Sequence, residues 1–408
     1  MKLINLPSGW EIKKMPDVVK WGSGGTPKAT EKAYYENGTI PWLIIGDLND
    51  GIVTTSETKI TPLGLENSSA KMIPVGTLLV AMYGSIGKLG ITGIECCTNQ
   101  AIAYAKELHG VTTQYMYYYM AMMKSKLISL GKGGTQKNIS QTVLNSLEVI
   151  VPPIEEQKRI VAKIEELFSE LDNGVETLKK TKQQLAVYRQ AVLKEAFDIK
   201  DSEKVESILD SVLKVLTDYH ANGSYEILKE NVTLLDTPNY AIMVRSTNYE
   251  KNDFENDVKY INKHSYDFLK KSQLFGGEVL MGKIGNAGKV YFVKPLGKPM
   301  SLAMNMFAMR FNDKIDSKYV YYYLLSPDAL QNIKKYVKGV GTPTIDKKSV
   351  RALKIVYPTS IEKQKNIVNE IEARLSVCDS IEQTVNTALQ QAEAMRQSIL
   401  KKAFEGEL

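Results

Sequence analysis

A chain of 408 residues has room for two domains of ordinary size plus connecting elements. Its 43% hydrophobic and 24% charged residues are those of a folded globular protein and exclude a disordered one. A net charge of +6 tolerates a polyanionic partner without demanding one. The opening Met1-Lys2-Leu3-Ile4-Asn5-Leu6-Pro7 has no apolar run of signal-peptide length. The apolar stretch from Thr77 to Ile91 is broken by Gly84, Gly87 and Lys88, so no membrane span is expected. Cys96, Cys97 and Cys378 form no disulfide framework and fit a reducing compartment, which places the chain in the cytoplasm.

In chain order, Ile40-Pro41-Trp42-Leu43-Ile44-Ile45 and Thr77-Leu78-Leu79-Val80-Ala81-Met82 read as strands. Tyr115, Tyr118, Tyr119 and Met122 fall on one face of a helix that is apolar nearly all round, which favours a core helix over a base-stacking platform. Ile154 to Phe197 reads as one long helix entered through Pro152-Pro153, spanning roughly 66 Å at 1.5 Å per residue. Asp201 to His220 follows as a connecting helix with Ser202 as N-cap and an apolar stripe of Ile208, Leu209, Val212, Leu213 and Leu216. Further strands are Tyr240-Ala241-Ile242-Met243-Val244 and Glu278-Val279-Leu280-Met281. A second long helix follows Pro358, opening on Thr359-x-x-Glu362 as a capping box.

The chain repeats itself. Ile154 to Phe197 align without a gap onto Ile361 to Phe404, and Gln157-Lys158, Arg189-Gln190 and Ala196-Phe197 are among the recurring pairs. Tyr115-Met116-Tyr117-Tyr118-Tyr119 returns as Tyr319-Val320-Tyr321-Tyr322-Tyr323, and Gly84-Ser85-Ile86-Gly87-Lys88 as Gly285-Asn286-Ala287-Gly288-Lys289. Gly133-Gly134-Thr135 aligns with Val340-Gly341-Thr342. In the first long helix a 4-3 walk gives Ile160, Ile164, Leu167, Leu171, Gly174, Leu178, Thr181, Leu185, Tyr188 and Val192. The second gives Ile367, Ile371, Arg374, Cys378, Ile381, Val385, Ala388, Ala392, Met395 and Ile399. A 3.5-residue period is a coiled-coil seam, and each seam is weak where the other is strong, so the two helices are expected to pair within one chain, antiparallel. The predicted fold is α+β: two similar modules, 1–152 and 222–358, separated by paired long antiparallel helices, 153–198 and 359–408, with 199–221 as linker.

Between these elements lie glycine-rich loops with small polar and basic residues. In the first module they carry Ser23, Gly24, Gly25, Thr26 and Lys28; Tyr83, Ser85 and Lys88; and Lys132, Gln136, Lys137 and Asn138. In the second they carry Arg245, Ser246 and Thr247; Lys283, Asn286 and Lys289; and Lys338, Thr342, Thr344 and Lys347. Glycine lets backbone N–H groups approach a ligand, and these side chains can bond phosphates and base edges. Singly each loop reads equally well as a turn. Recurrence in both modules makes them candidate DNA contacts.

Catalytic and metal motifs do not assemble. Gly84-x-x-Gly87-Lys88-Leu89 and Gly282-x5-Gly288-Lys289-Val290 miss phosphate-loop spacing and lack the hydroxyl that follows the lysine. His109, His220 and His264 are not spaced with cysteines or carboxylates as metal ligands are. Pro327-Asp328 with Asp346-x-Lys348 mimics a nuclease pattern but occurs in one repeat only, where the other has Ser140. No Asn-Pro-Pro-aromatic or Asp-Pro-Pro-aromatic tetrapeptide of an adenine methyltransferase is present. The chain reads as a non-enzyme.

Several stretches in this order resemble the specificity subunits of type I restriction–modification systems. They are Leu6-Pro7-x-Gly9-Trp10, Ser23-Gly24-Gly25-Thr26-Pro27, Ile40-Pro41-Trp42 with Gly46-Asp47-Leu48, and Pro152-Pro153-x-x-Glu156-Gln157. The endings Leu193-Lys194-x-Ala196-Phe197 and Leu400-Lys401-Lys402-Ala403-Phe404 complete the set. The second module lacks a Ser-Gly-Gly-Thr-Pro loop, so its reading surface does not carry over by motif. The resemblance implies two target-recognition domains alternating with two long helices, and a subunit that reads a bipartite double-stranded DNA site. It also implies two adenine methyltransferase subunits and restriction subunits as partners, with S-adenosylmethionine, ATP and magnesium bound by them. Two other readings stay open at this point: a free-standing bipartite DNA-binding regulator, and a coiled-coil adaptor without nucleic acid.

Overall fold

The computed structural model describes residues 6–134, 136–199 and 204–408. It divides into two compact units, Met1–Lys179 with Asn386–Leu408, and Lys180–Val385. The first contains β1 (Glu11–Lys14), β2 (Val19–Ser23), β3 (Ile40–Leu43), β4 (Gly51–Val53), β5 (Lys59–Ile60), β6 (Leu78–Ala81), β7 (Leu89–Thr92), β8 (Cys97–Thr98), β9 (Ile102–Leu108), the helix α1 (Thr113–Leu130) and β10 (Glu148–Val151). Its main sheet has the order β2-β9-β6-β7-β4, flanked by a smaller sheet β5-β3-β8. Strand alternation explains why β6 is apolar at every position. Leu78 and Val80 face a core shared with Tyr115, Met116 and Tyr119 of α1. Leu79 and Ala81 face the opposite core with Leu43, Leu48 and Val53.

The second unit is built alike from β11 (Lys204–Ile208), β12 (Leu213–Asp218), β13 (Ala241–Val244), β14 (Lys259–Ile261), β15 (Gln273–Leu274), β16 (Val279–Gly282), β17 (Val290–Phe292), β18 (Met300–Leu302) and β19 (Met306–Phe311). The helix α3 (Ser317–Leu324) and β20 (Lys354–Pro358) complete it; two long helices, α2 (Ile154–Ala196) and α4 (Ile361–Glu405), each begin in one unit and end in the other. The sheets run β12-β19-β16-β17 and β14-β13-β18-β15. Val279 and Met281 of β16 pack with Tyr319 and Val320 of α3, while Leu280 faces the other core.

The connecting helix expected over 201–220 is not what forms. Its described part makes β11 and β12, and Ser202 lies outside the described residues. β11 pairs antiparallel with β20 from Lys204↔Pro358 to Ile208↔Lys354, as β1 pairs with β10 in the first unit. This long-range pairing overrides the local helical stripe, leaving Ile208 exposed while Leu209 and Val212 are buried.

Each long helix is fastened by an identical device at its start. Gln157 is fully buried; its Oε1 accepts the Thr112 N–H (2.9 Å) and its Nε2 donates to the Gly110 (2.8 Å) and Pro152 (2.9 Å) carbonyls. Gln364 repeats this with the Asp316 N–H (2.8 Å) and the carbonyls of Lys314 (3.1 Å) and Pro358 (2.7 Å). The cap of α4 is Ser360, not Thr359: its Oγ accepts the Lys363 N–H at 3.3 Å.

The ends of the same helices are plugs. Phe404 stands edge-on to Tyr115 and Tyr119 at 5.2 and 5.1 Å between ring centres. Phe197 meets Tyr319 and Tyr323 in the same way at 5.3 Å each. The tyrosine helices are therefore core, with Tyr115, Tyr119 and Tyr319 wholly buried.

Within each unit the α2 and α4 segments run antiparallel. In the first, Arg159 Nη2 donates to the Leu408 carbonyl at 2.9 Å, and Arg396 pairs with Asp172. In the second, Arg189 pairs with Asp379 at 2.7 Å and Arg374 with Glu195 at 2.9 Å. Asp172–Arg396 and Asp379–Arg189 are the same pair related by the internal repeat. Ile160, Ile164, Leu185, Ile371, Val385 and Leu400 are buried, and Leu167, Leu171, Leu178, Ile367 and Ile399 are half-buried. The seam departs from the expected walk at two places in each helix, every fourth step of the walk. Ile381 and Met395 are 40% and 53% exposed, and Gly174 and Tyr188 are exposed, whereas Val175, Arg189, Glu382 and Arg396, one residue later, are half-buried. The arginine pairs and their aliphatic stems occupy the positions that an apolar walk assigns to Ile381 and Met395.

Candidate nucleic-acid interface

In the first unit, β6 and β7 are joined by a hairpin through Gly84 (φ +64°) and Gly87 (φ +74°). Gly87 N–H closes it on the Ala81 carbonyl at 3.0 Å, a conformation that favours glycine. The loop headed by Lys132 folds back on itself through paired Lys132 and Asn138 backbone bonds of 2.9 and 2.8 Å. It is then tied to the hairpin by Gly84 N–H to the Lys137 carbonyl (3.2 Å) and Ile139 N–H to the Met82 carbonyl (2.9 Å). Ser85, Lys88, Gln136 and Lys137 thus line a cleft of about 650 Å³, and Tyr83, Lys132 and Asn138 are joined to one another by backbone bridges in the same hairpin and loop.

The second unit repeats each bond. Gly288 N–H meets the Gly282 carbonyl (2.9 Å), Lys338 and Thr344 pair (2.9 and 2.8 Å), and Gly285 N–H meets the Pro343 carbonyl (2.9 Å). Lys283, Lys338, Thr344 and Lys347 line a cleft of about 460 Å³ there. These bonds correct the loop alignment by one residue: Lys132 matches Lys338 and Gly133 (φ +124°) matches Gly339 (φ +90°), so Gly134 stands where the second unit has Val340. Thr135 lies outside the described residues.

The Ser23-to-Lys28 loop divides by role. Gly24 and Gly25 are buried, and a Cβ on either would collide with the Thr98 carbonyl or with Ser69, so their smallness is a packing requirement. Ser23, Thr26 and Lys28 are exposed, and Thr26 bonds Gln100, next to the Ala101 carbonyl that accepts the Met82 N–H. Arg245 is held by Asp257 at 3.0 Å and begins a short helix, Ser246–Lys251, whose Glu250 reaches the second hairpin. Glu250 bonds Asn286 and stands 3.5 Å from Lys289.

Charge separates the lysines further. Asp218, buried at the end of β12, receives Lys283 at 2.9 Å and Lys347 at 2.8 Å. Burial alone would raise its carboxyl, but the two ammonium groups bonded to it prevail and hold it below the ordinary range. Lys289 is paired with Glu250, while Lys283 and Lys347 share the one Asp218 carboxylate and are held in place by it. Lys28, Lys132, Lys137 and Lys338 are exposed and make no ion pair among the described residues. Sequence reading missed Asp218 and Glu250; their signal is only spatial, since Asp218 and Lys347 lie 129 positions apart.

Among the described residues no group of three or more His, Cys, Asp or Glu side chains is placed to hold a metal ion, and no helix is long and apolar enough to cross a membrane. The type I restriction modification DNA specificity domain family matches residues 7–186 and again 213–391. The EcoKI type I restriction enzyme specificity subunit of Escherichia coli (strain K12) is 25% identical, with 99% of this chain and 90% of that protein covered. The StySPI specificity subunit of Salmonella potsdam is 24% identical over the same shares, 99% and 90%. A chain solved in work on complex assembly and conformational transition of the type I R-M system superposes with a TM-score of 0.76 at 16% identity, covering 99% of this chain and all of that one. The HsdS subunit from Thermoanaerobacter tengcongensis gives 0.53 at 17% identity, covering 100% of this chain and 99% of its own. At these identities the structural likenesses speak for the fold.

Proposed function

The chain belongs to the type I restriction modification DNA specificity family and is a DNA sequence-specificity subunit; from that premise we propose that each module reads one half of a bipartite target through its hairpin-and-loop face. The observation that carries this reading is the repetition of one hydrogen-bonded frame in both units, each headed by an exposed lysine, Lys132 or Lys338, that makes no ion pair among the described residues. One scaffold with different tip residues suits two different half-sites. The frame positions backbone N–H groups and lysines for phosphates, and the tips supply the base contacts.

In this reading the chain carries no catalytic residue. Two methyltransferase subunits and restriction subunits assemble on it and bring S-adenosylmethionine, ATP and magnesium, and target adenines are flipped into the methyltransferase sites. Helices α2 and α4, running from one unit into the other, set the spacer between half-sites, as dimer geometry does in other two-headed readers.

The test uses the full chain with its methyltransferase partner. Lys132→Ala and Lys338→Ala are each expected to weaken binding several-fold on every duplex and to lower the slope of log affinity against log salt by about 1. Lys20→Ala serves as the control, because Lys20 is paired with Glu107 at 2.6 Å on the edge strand β2. Unchanged slopes for both loop lysines would remove these loops from the interface.

A further inference from the structure

We propose that the second module reads a thymine methyl group with Val340, where the first module reads base edges by hydrogen bonding. This rests on the hairpin-and-loop face being the DNA surface. The two tips share a backbone frame but differ in chemistry position by position. The first presents Tyr83, Ser85, Gly134, Gln136 and Asn138, a set of donors and acceptors with no aliphatic side chain. The second presents Ile284, Asn286, Val340, Thr342 and Thr344, in which methyl groups dominate.

Val340 is the extreme case. It is fully exposed, at 105% of the reference area, so no part of the fold packs against it. Gly339 (φ +90°) and Gly341 flank it, and nothing lies within 4 Å of where a Gly341 Cβ would be, so the tip stands clear of the unit. Ile284, 39% exposed, sits on the hairpin to which this loop is bonded, and Met304, 47% exposed, adjoins Asn305, whose carbonyl accepts the Lys283 N–H. Lys338, two residues before Val340, is exposed and makes no ion pair among the described residues, so the apolar tip is held against a polyanion rather than against another apolar surface. On a duplex the one apolar group at the major-groove edge of a base pair is the thymine 5-methyl. Dehydrating it against a valine favours thymine over cytosine, and the same contact is empty where Gly134 replaces valine.

The experiment uses the full chain with its methyltransferase partner on the duplex target fixed by mapping methylated adenines. Uracil replaces thymine throughout the second half-site, which removes only methyl groups. Wild type is expected to bind this duplex about fourfold more weakly, the effect of one buried methyl. Val340→Gly is expected to bind the thymine duplex as weakly as wild type binds the uracil one, and to ignore the replacement. Wild-type indifference to uracil, undiminished sensitivity in Val340→Gly, or a second half-site of G·C pairs alone overturns the proposal. Lys338→Ala keeps the two levels apart. If it weakens all duplexes while Val340 has no effect, only the methyl contact falls; if it too has no effect, the face itself is wrong.

Discussion

Phe404→Ala is expected to destabilise the first unit by about 3–5 kcal/mol, the range for truncating a buried phenylalanine. Phe404 is wholly buried and closes on Tyr115 and Tyr119, which are themselves buried, so the cavity would open inside the core beneath the main sheet. Those two tyrosines hold the Ile150 and Glu148 carbonyls by 2.7 and 2.9 Å bonds, so their displacement also loosens β10 at the entrance to α2. Because a two-unit chain does not melt in one step, the informative readout is amide exchange. Amides of α1 and β10 should lose protection while those of α3 and β20 keep theirs. Phe197→Ala should show the mirror pattern, smaller because Phe197 is only half-buried. Equal loss of protection in both units from either substitution would contradict the plug assignment.

Gln157→Leu comes second, at about 3 kcal/mol. Leucine keeps the volume but leaves the Thr112 N–H and the Gly110 and Pro152 carbonyls buried without their partner. Gln157→Glu is the discriminating companion. A carboxylate still accepts from Thr112 but faces two carbonyls, so the cost should exceed that of leucine at neutral pH and shrink as the glutamate protonates in acid. Chemical unfolding followed by fluorescence of Trp10 and Trp21, both packed on the first unit's core, would measure it. A glutamate variant as stable as wild type at neutral pH would show that the amide does not fasten the helix start.

Much of this architecture was legible in the sequence, because the internal repeat marks what both units need. Gln157 with Gln364 and Phe197 with Phe404 stand out in the alignment before any fold is known. Their tasks do not, since Phe197 lies over a hundred positions from Tyr319 and only the folded chain brings them together. The seam was half legible. Positions such as Ile164, Leu185, Ile371 and Val385 follow from periodicity, but Arg189 and Arg396 take the flanking places through partners that hydropathy cannot reveal. Residues 204–218 misled because a helical stripe was present, and the partner strands that make them β lie much later in the chain. At the candidate interface, sequence marked the glycine-rich loops but treated all their lysines alike. The buried Asp218, which captures Lys283 and Lys347, separates them.

Modular reading is the claim on which the rest depends, and methylation mapping addresses it most directly. Methylated adenines would be located genome-wide in cells carrying the methyltransferase with this chain, and again with residues 1–152 replaced by those of another family member. The expected result is a target in which one half-site changes while the other half-site and the spacer persist. A target altered in both halves, or in neither, would contradict it.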